Sequence, residues 1–189
     1  MVVIFHSRRC FCLIVIFALC LVEASKAQTT WKGLKFGMTE EEVRKVFSST
    51  LDKENLAKGR YAFLDRSQNL FDTRATAKFY FSADGKLDMI SVFMLDPFAN
   101  DPNPNQAEAK TIEIIETANK ELTEKYGNPL SVEGDCAVTV ESVMSSPTGI
   151  LICDKLFKSE GQGISLGYSV KHERLSTLGI TYKPLSSEI

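Results

Sequence analysis

Ile164-Ser165-Leu166-Gly167-Tyr168-Ser169-Val170 alternates apolar with small polar residues without a break. Leu178, Ile180 and Tyr182 repeat the pattern after the charged turn Lys171-His172-Glu173-Arg174. Side chains of a strand point to opposite faces in turn, so alternation at period two predicts strands with one buried and one wet face. Antiparallel sheets tolerate that arrangement, and parallel ones do not. Working outward, Ala75 to Phe81 places Ala77, Phe79 and Phe81 on one face, and Tyr61 to Leu64 is a further candidate strand. Ser82-Ala83-Asp84-Gly85-Lys86 is a hairpin turn, its Asp-Gly pair suited to positive backbone angles. Leu87 to Leu95 is the returning strand, and Leu87, Met89, Phe93 and Leu95 are read as its buried face.

Helix signals interrupt the strands twice. In Phe36-Gly37-Met38-Thr39-Glu40-Glu41-Glu42-Val43, Thr39 and Glu42 have capping-box spacing, and Met38 and Val43 are placed for a hydrophobic staple. Three glutamates at the positive end of the helix dipole add stability, a better reading than a metal site because successive helical residues point apart. A longer helix is expected over Gln106 to Tyr126, with Ile112, Ile115, Leu122 and Tyr126 inward, helped by Ala109 and Ala118. Gly127 and Pro129 end it. Asn100-Asp101-Pro102-Asn103-Pro104-Asn105 breaks both helix and ladder. The expected architecture is therefore α+β: two helix-plus-antiparallel-strand halves, 28–100 and 101–189, forming one sheet covered by helices on one face, as one domain.

Residues 1–27 read as an address. Arg8 and Arg9 lead into the apolar or Cys run Cys10 to Val22, whose 13 residues fall short of the ~20 that span a bilayer but suit a secretory signal peptide. Ser25 and Ala27 then mark a cleavage site. Ser7-Arg8-Arg9-Cys10-Phe11 resembles a twin-arginine export pattern, but the strongly apolar run favours general secretion. Bulky Leu19 argues against lipidation at Cys20. The expected location is periplasmic or secreted.

Export gives the cysteines their meaning. Three of the five lie in the signal, leaving Cys136 and Cys153, most simply a disulfide, with a free thiol or metal ligand as alternatives. Strand pairing leads to the same pair. If 136–143 and 150–157 form a hairpin around Ser145-Ser146-Pro147-Thr148-Gly149, Cys136 stands opposite Cys153.

Removing the signal takes three bases and one acid from the whole chain's 22 and 24, leaving a net charge of −4. That balance and the lack of a basic stripe argue against nucleic acid. No second long apolar segment follows, so no integral membrane segment is expected after signal removal. Catalytic patterns are missing too. His172 is the single histidine after the signal, in a charged turn. Gly161-Gln162-Gly163 lacks the third glycine of a dinucleotide loop, and no nucleophile elbow, P-loop or zinc motif occurs. No cofactor, metal or catalytic set is expected. The conspicuous residues that remain are apolar. Trp31 reads first as core packing and second as a partner contact. Phe93 to Phe98 runs into the break between halves, and an exposed apolar patch there marks a protein contact. Trp31, Phe93 and Phe98 are the candidate partner-contact residues.

Phe36-Gly37-Met38-Thr39 with Val43 resembles the helix opening of small exported bacterial proteins of the β-lactamase-inhibitor-like group and the related SmpA/OmlA outer-membrane assembly lipoproteins. Lys125-Tyr126-Gly127-Asn128-Pro129 resembles helix ends of other periplasmic proteins. The resemblance implies a helical part packed on an antiparallel sheet, in the inhibitors repeated twice, and a binding role. Only the first half carries Gly-Met-Thr, one disulfide stands where the inhibitors have one per half, and the acylated cysteine has no equivalent. No site residue therefore carries over. The function expected is an exported, non-enzymatic protein-binding module whose partner is a protein in the cell envelope or outside. The alternatives are an exported carboxylate-dependent hydrolase and an envelope assembly factor.

Overall fold

The computed structural model describes residues 31–47, 51–95, 97–98, 102–134, 136, 150–159, 161–171 and 174–185. The expected signal peptide, all but Cys136 of the expected strand 136–143, and His172 lie outside the described residues. In chain order the elements are α1 (Glu40–Val46), β1 (Asp52–Asn55), β2 (Tyr61–Leu70), β3 (Thr73–Phe81), β4 (Leu87–Leu95), α2 (Pro104–Tyr126), β5 (Ser131–Gly134), β6 (Ile150–Ser159), β7 (Gln162–Lys171) and β8 (Arg174–Pro184). All eight strands form one antiparallel sheet in the order β1-β2-β3-β4-β8-β7-β6-β5, so two four-stranded meanders meet at β4 and β8.

The expected α+β class is thereby corrected: the fold is β-rich, with eight strands and two α-helices among the described residues. Two short strands, β1 and β5, went unread because their residues are exposed and carry no alternation. β2 runs on to Leu70 rather than stopping at Leu64. The helical layer is also thinner than expected. α1 has seven residues, about 10 Å of helix, and buries Val43 alone. Aromatic rings close the core around it instead: Phe47 lies 4.8 Å from Phe79 and 5.9 Å from Trp31, and Phe81 lies 5.5 Å from Phe63, ring centre to ring centre.

Local chemistry sets α1 as expected. The Glu42 N–H donates to Thr39 Oγ1 at 3.4 Å, and the Thr39 N–H donates to Glu42 Oε2 at 2.7 Å. The Thr39 N–H first, and then the Thr39 hydroxyl, which donates to Glu42 Oε2 at 3.0 Å, hold the Glu42 carboxyl below its usual range. The run before the helix is stitched to β4, Gly37 N–H donating to Leu87 O and Leu87 N–H to Met38 O. On α2 the buried stripe is Ala107, Thr111, Ile114, Ile115, Ala118 and Leu122. The expected Ile112 is half-buried and Ala109 exposed. The stripe turns about Thr111, whose hydroxyl donates to Ala107 O at 2.7 Å and accepts from Leu175 N–H at 3.0 Å, pinning α2 to β8. Lys155 Nζ of β6 donates to Asn119 Oδ1 of α2, and burial pushes its ammonium pKa down.

Bulges decide which residues face the core. Tyr80 pairs with Met89 but Phe81 with Leu87, so Asp88 is an extra residue in β4, held by Arg60 at 2.8 Å. Parity reverses there. The buried face of β4 is Leu87, Ile90, Val92 and Met94, and the expected Met89, Phe93 and Leu95 lie on the other face. The cysteine register is corrected likewise. Gly134, not Cys136, stands opposite Cys153. A Cβ at Gly134, with φ of 83°, would fall 2.2 Å from Ile152 O, so only glycine permits the turn that returns the chain. Cys136 is joined to Cys153 by a disulfide, Cα to Cα 4.9 Å, with Tyr168 Oη donating to Cys136 O.

Candidate binding face of the sheet

One sheet face carries the core and receives both helices; no described element is laid over the other. Across this open face the register aligns Thr76, Phe93, Gly179, Gly167 and Asp154 on β3, β4, β8, β7 and β6. Neighbouring rows hold Ser91, Thr181 and Ser165, and Leu95, Thr177, Ser169 and Ile152. β8 and β7 thus present only Gly, Ser and Thr along these rows. Larger side chains of β4 and β6 stand on either side. A Cβ at Gly179 would sit 3.2 Å from Phe93 Cβ, and one at Gly167 would sit 2.7 Å from Asp154 Oδ1. Ser91 and Thr181 are within 3.2 Å through their hydroxyls, and Ser169 and Thr177 within 2.8 Å.

At the β2–β3–β4 end the face deepens into a cavity of about 340 Å³, lined by Arg66, Arg74, Thr76, Phe93 and Leu95. Each wall has a local cause. Leu95 is 66% exposed because the bulge at Asp88 turned it outward. Arg66 follows inward-facing Asp65 and stands out in step with Ala62 and Leu64, just before β2 bulges between Asp65 and Gln68. Asp65, only 1% exposed, holds that bulge: Oδ1 accepts from Ser67 N–H at 2.8 Å and Ser67 Oγ at 2.6 Å, and Oδ2 accepts from Gln68 Nε2 at 2.7 Å. Lys32 Nζ donates in turn to Gln68 Oε1. Arg74 lies at the start of β3, opposite Asn69.

The cationic groups differ in how far they are committed. Lys78 is bound to Glu54 at 2.6 Å. Although burial works against its charge, the hydrogen bonds it donates to Glu54 and Tyr80, with the attraction of those groups, raise its pKa. Arg66 donates through Nη1 to Asp52 Oδ2; a guanidinium has five N–H donors, so others stay available. Arg74 makes no hydrogen bond or ion pair among the described residues. The described lining contains no acid, histidine or cysteine. Its chemistry is a forked cationic edge beside an aromatic and an aliphatic wall.

The three residues expected to contact a partner are not brought together. Trp31 is half-buried on the core side, over Phe47 and Phe79, with Lys32 Nζ 4.8 Å from its ring centre. Phe98 packs against the core, its ring 6.0 Å from Lys110 Nζ. Phe93 alone lines the cavity. Sequence reasoning passed over Arg66, Arg74 and Thr76, and named Leu95 only on the expected buried face of β4 and within the apolar run Phe93 to Phe98. The break in alternation at Asp65-Arg66-Ser67-Gln68 is the signal that marks the first of them.

Among the described residues no three of His, Cys, Asp and Glu gather as a metal-binding group, and no helix is long and apolar enough to cross a membrane. No protein-family model, curated protein or solved structure matches the chain.

Proposed function

We propose that this protein is a non-enzymatic binding module that receives a protein partner on the open face of its sheet. The observation that carries the reading is the outward turn of β4. The Asp88 bulge places Phe93 and Leu95 on the face that no described element covers, next to two arginines. Burying that apolar surface on a partner is favourable at roughly 25 cal/mol per Å². Interface centres use this combination, an aromatic and an aliphatic anchor beside arginine. Export belongs to the same reading. It is supported by the apolar run Cys10–Val22 and by the Cys136–Cys153 disulfide, a bond that persists in oxidising compartments.

The test is position-specific photocrosslinking in the native compartment, with a benzophenone amino acid at Leu95 or, as control, at exposed Glu116 of α2. A discrete protein adduct from position 95 and none from 116 is expected. Equal adducts from both positions, or none from 95, would overturn the proposal.

A further inference from the structure

We infer that the Arg66–Arg74–Phe93 cavity recognises an acidic side chain, Asp or Glu next to an apolar residue, presented by a polypeptide partner. The inference rests on the reading of the open face as a docking surface and names what that surface selects.

Charge is the first argument. The whole chain has a net charge of −2, yet this cavity is lined by two guanidinium groups and no acid. One guanidinium is shared with Asp52 and the other has no partner among the described residues. An arginine fork matches a carboxylate in a planar, two-bonded geometry, which a lysine could not supply. An anion entering here gains Arg74 outright and competes with Asp52 for Arg66.

Size and surroundings select the source of the carboxylate. A cavity of about 340 Å³ lies at the small end of ligand pockets. It takes one acidic side chain and part of an apolar neighbour against Phe93 and Leu95. Beyond the cavity the face continues as rows of hydroxyls, Thr177 and Ser169, Thr181 and Ser165. A polypeptide backbone offers N–H and C=O groups to those hydroxyls, whereas an acyl chain has nothing to exchange with them. The floor strands carry nothing larger than threonine there, so a peptide can lie close to the sheet.

The experiment uses isotope-labelled protein and three probes followed by NMR: the acetylated, amidated tripeptides Leu-Glu-Leu and Leu-Gln-Leu, and hexanoate. The glutamate peptide should bind at least about 10-fold more tightly than the glutamine peptide, as expected for a charge-assisted bond. Its shifts should centre on the Arg74 side-chain N–H, Phe93 and Leu95. R74Q, an exposed position, should reduce the preference to within about twofold, and D52N should increase it by freeing Arg66. Equal binding of both peptides at Phe93 and Leu95 would overturn acid recognition and leave the docking face standing. Hexanoate reproducing the shifts where the peptides fail would overturn the polypeptide assignment in favour of a small carboxylate. An unaltered preference in R74Q would overturn the assignment of Arg74. Failure of the docking face itself is read separately, from the crosslinks at position 95.

Discussion

Replacing Thr111 by valine probes the bond that seats the long helix on the sheet. β8 carries an extra residue against β7: Ser169 pairs with Thr177 but Val170 with Leu175, leaving Ser176 over. The ladder is interrupted at that point, and the Leu175 N–H finds its acceptor in Thr111 Oγ1, 3.0 Å away on α2. Thr111 is 1% exposed and Leu175 fully buried, so water cannot replace the lost acceptor. Valine has threonine's shape and creates neither cavity nor clash. The Ala107 carbonyl, relieved of the hydroxyl, keeps its place in the helix ladder. What remains is one buried N–H without a partner, a cost of about 1–3 kcal/mol. For a domain of this size each kcal/mol lowers Tm by about 2–4 °C. Serine is the control. It keeps the hydroxyl and loses one methyl, for about 0.5–1.5 kcal/mol. Urea unfolding gives the stability, and hydrogen exchange of the Leu175 amide separates the causes. That amide should exchange faster relative to its strand neighbours in T111V but not in T111S. A neutral T111V with unchanged Leu175 protection would refute the reasoning.

Three further outcomes are expected. Thr39→Ala removes the cap of α1 and should cost about 1 kcal/mol, read as a lower urea midpoint; an unchanged midpoint would count against the capping box. Burial first, and then neighbouring Tyr126, raise the Tyr182 phenol pKa well above its ordinary 10.0. The unfolded chain therefore releases this proton near pH 10 while the folded chain retains it, and stability falls above pH 10 by up to about 1.4 kcal/mol per pH unit. Tyr182→Phe should flatten that alkaline limb, and equal slopes in the two proteins would contradict the assignment. Reducing the Cys136–Cys153 disulfide should cost about 3 kcal/mol by the loop-entropy argument. Thiol titration of the denatured, unreduced protein should find neither of these two cysteines free.

The strands were legible wherever one face is buried throughout. Ile164 to Val170 and Leu178 to Tyr182 sit as their alternation predicts, inward and outward in turn. The capped helix before the sheet was equally plain, because a capping box needs only four consecutive positions. β1 and β5 escaped because edge strands paired on one side have no buried face to leave a pattern. The candidate site escaped for another reason. Arg66, Arg74 and Leu95 come from three strands, and Leu95 faces the cavity only because the bulge at Asp88 breaks the alternation. On β4, alternation without a bulge puts Phe93 and Leu95 in the core.

The amino-acid sequence by itself determined the period-two strands, the hairpin at Asp84-Gly85, the helix caps and the pairing of the two cysteines. Each depends on contacts near in the chain, on a repeat that shows itself residue by residue, or on there being one partner to choose. Tertiary structure alone decided which face of β4 looks outward. It also decided that two arginines and a phenylalanine meet in one cavity. Those outcomes turn on single extra residues in strands whose partners lie far along the chain, and one such residue exchanges core for surface.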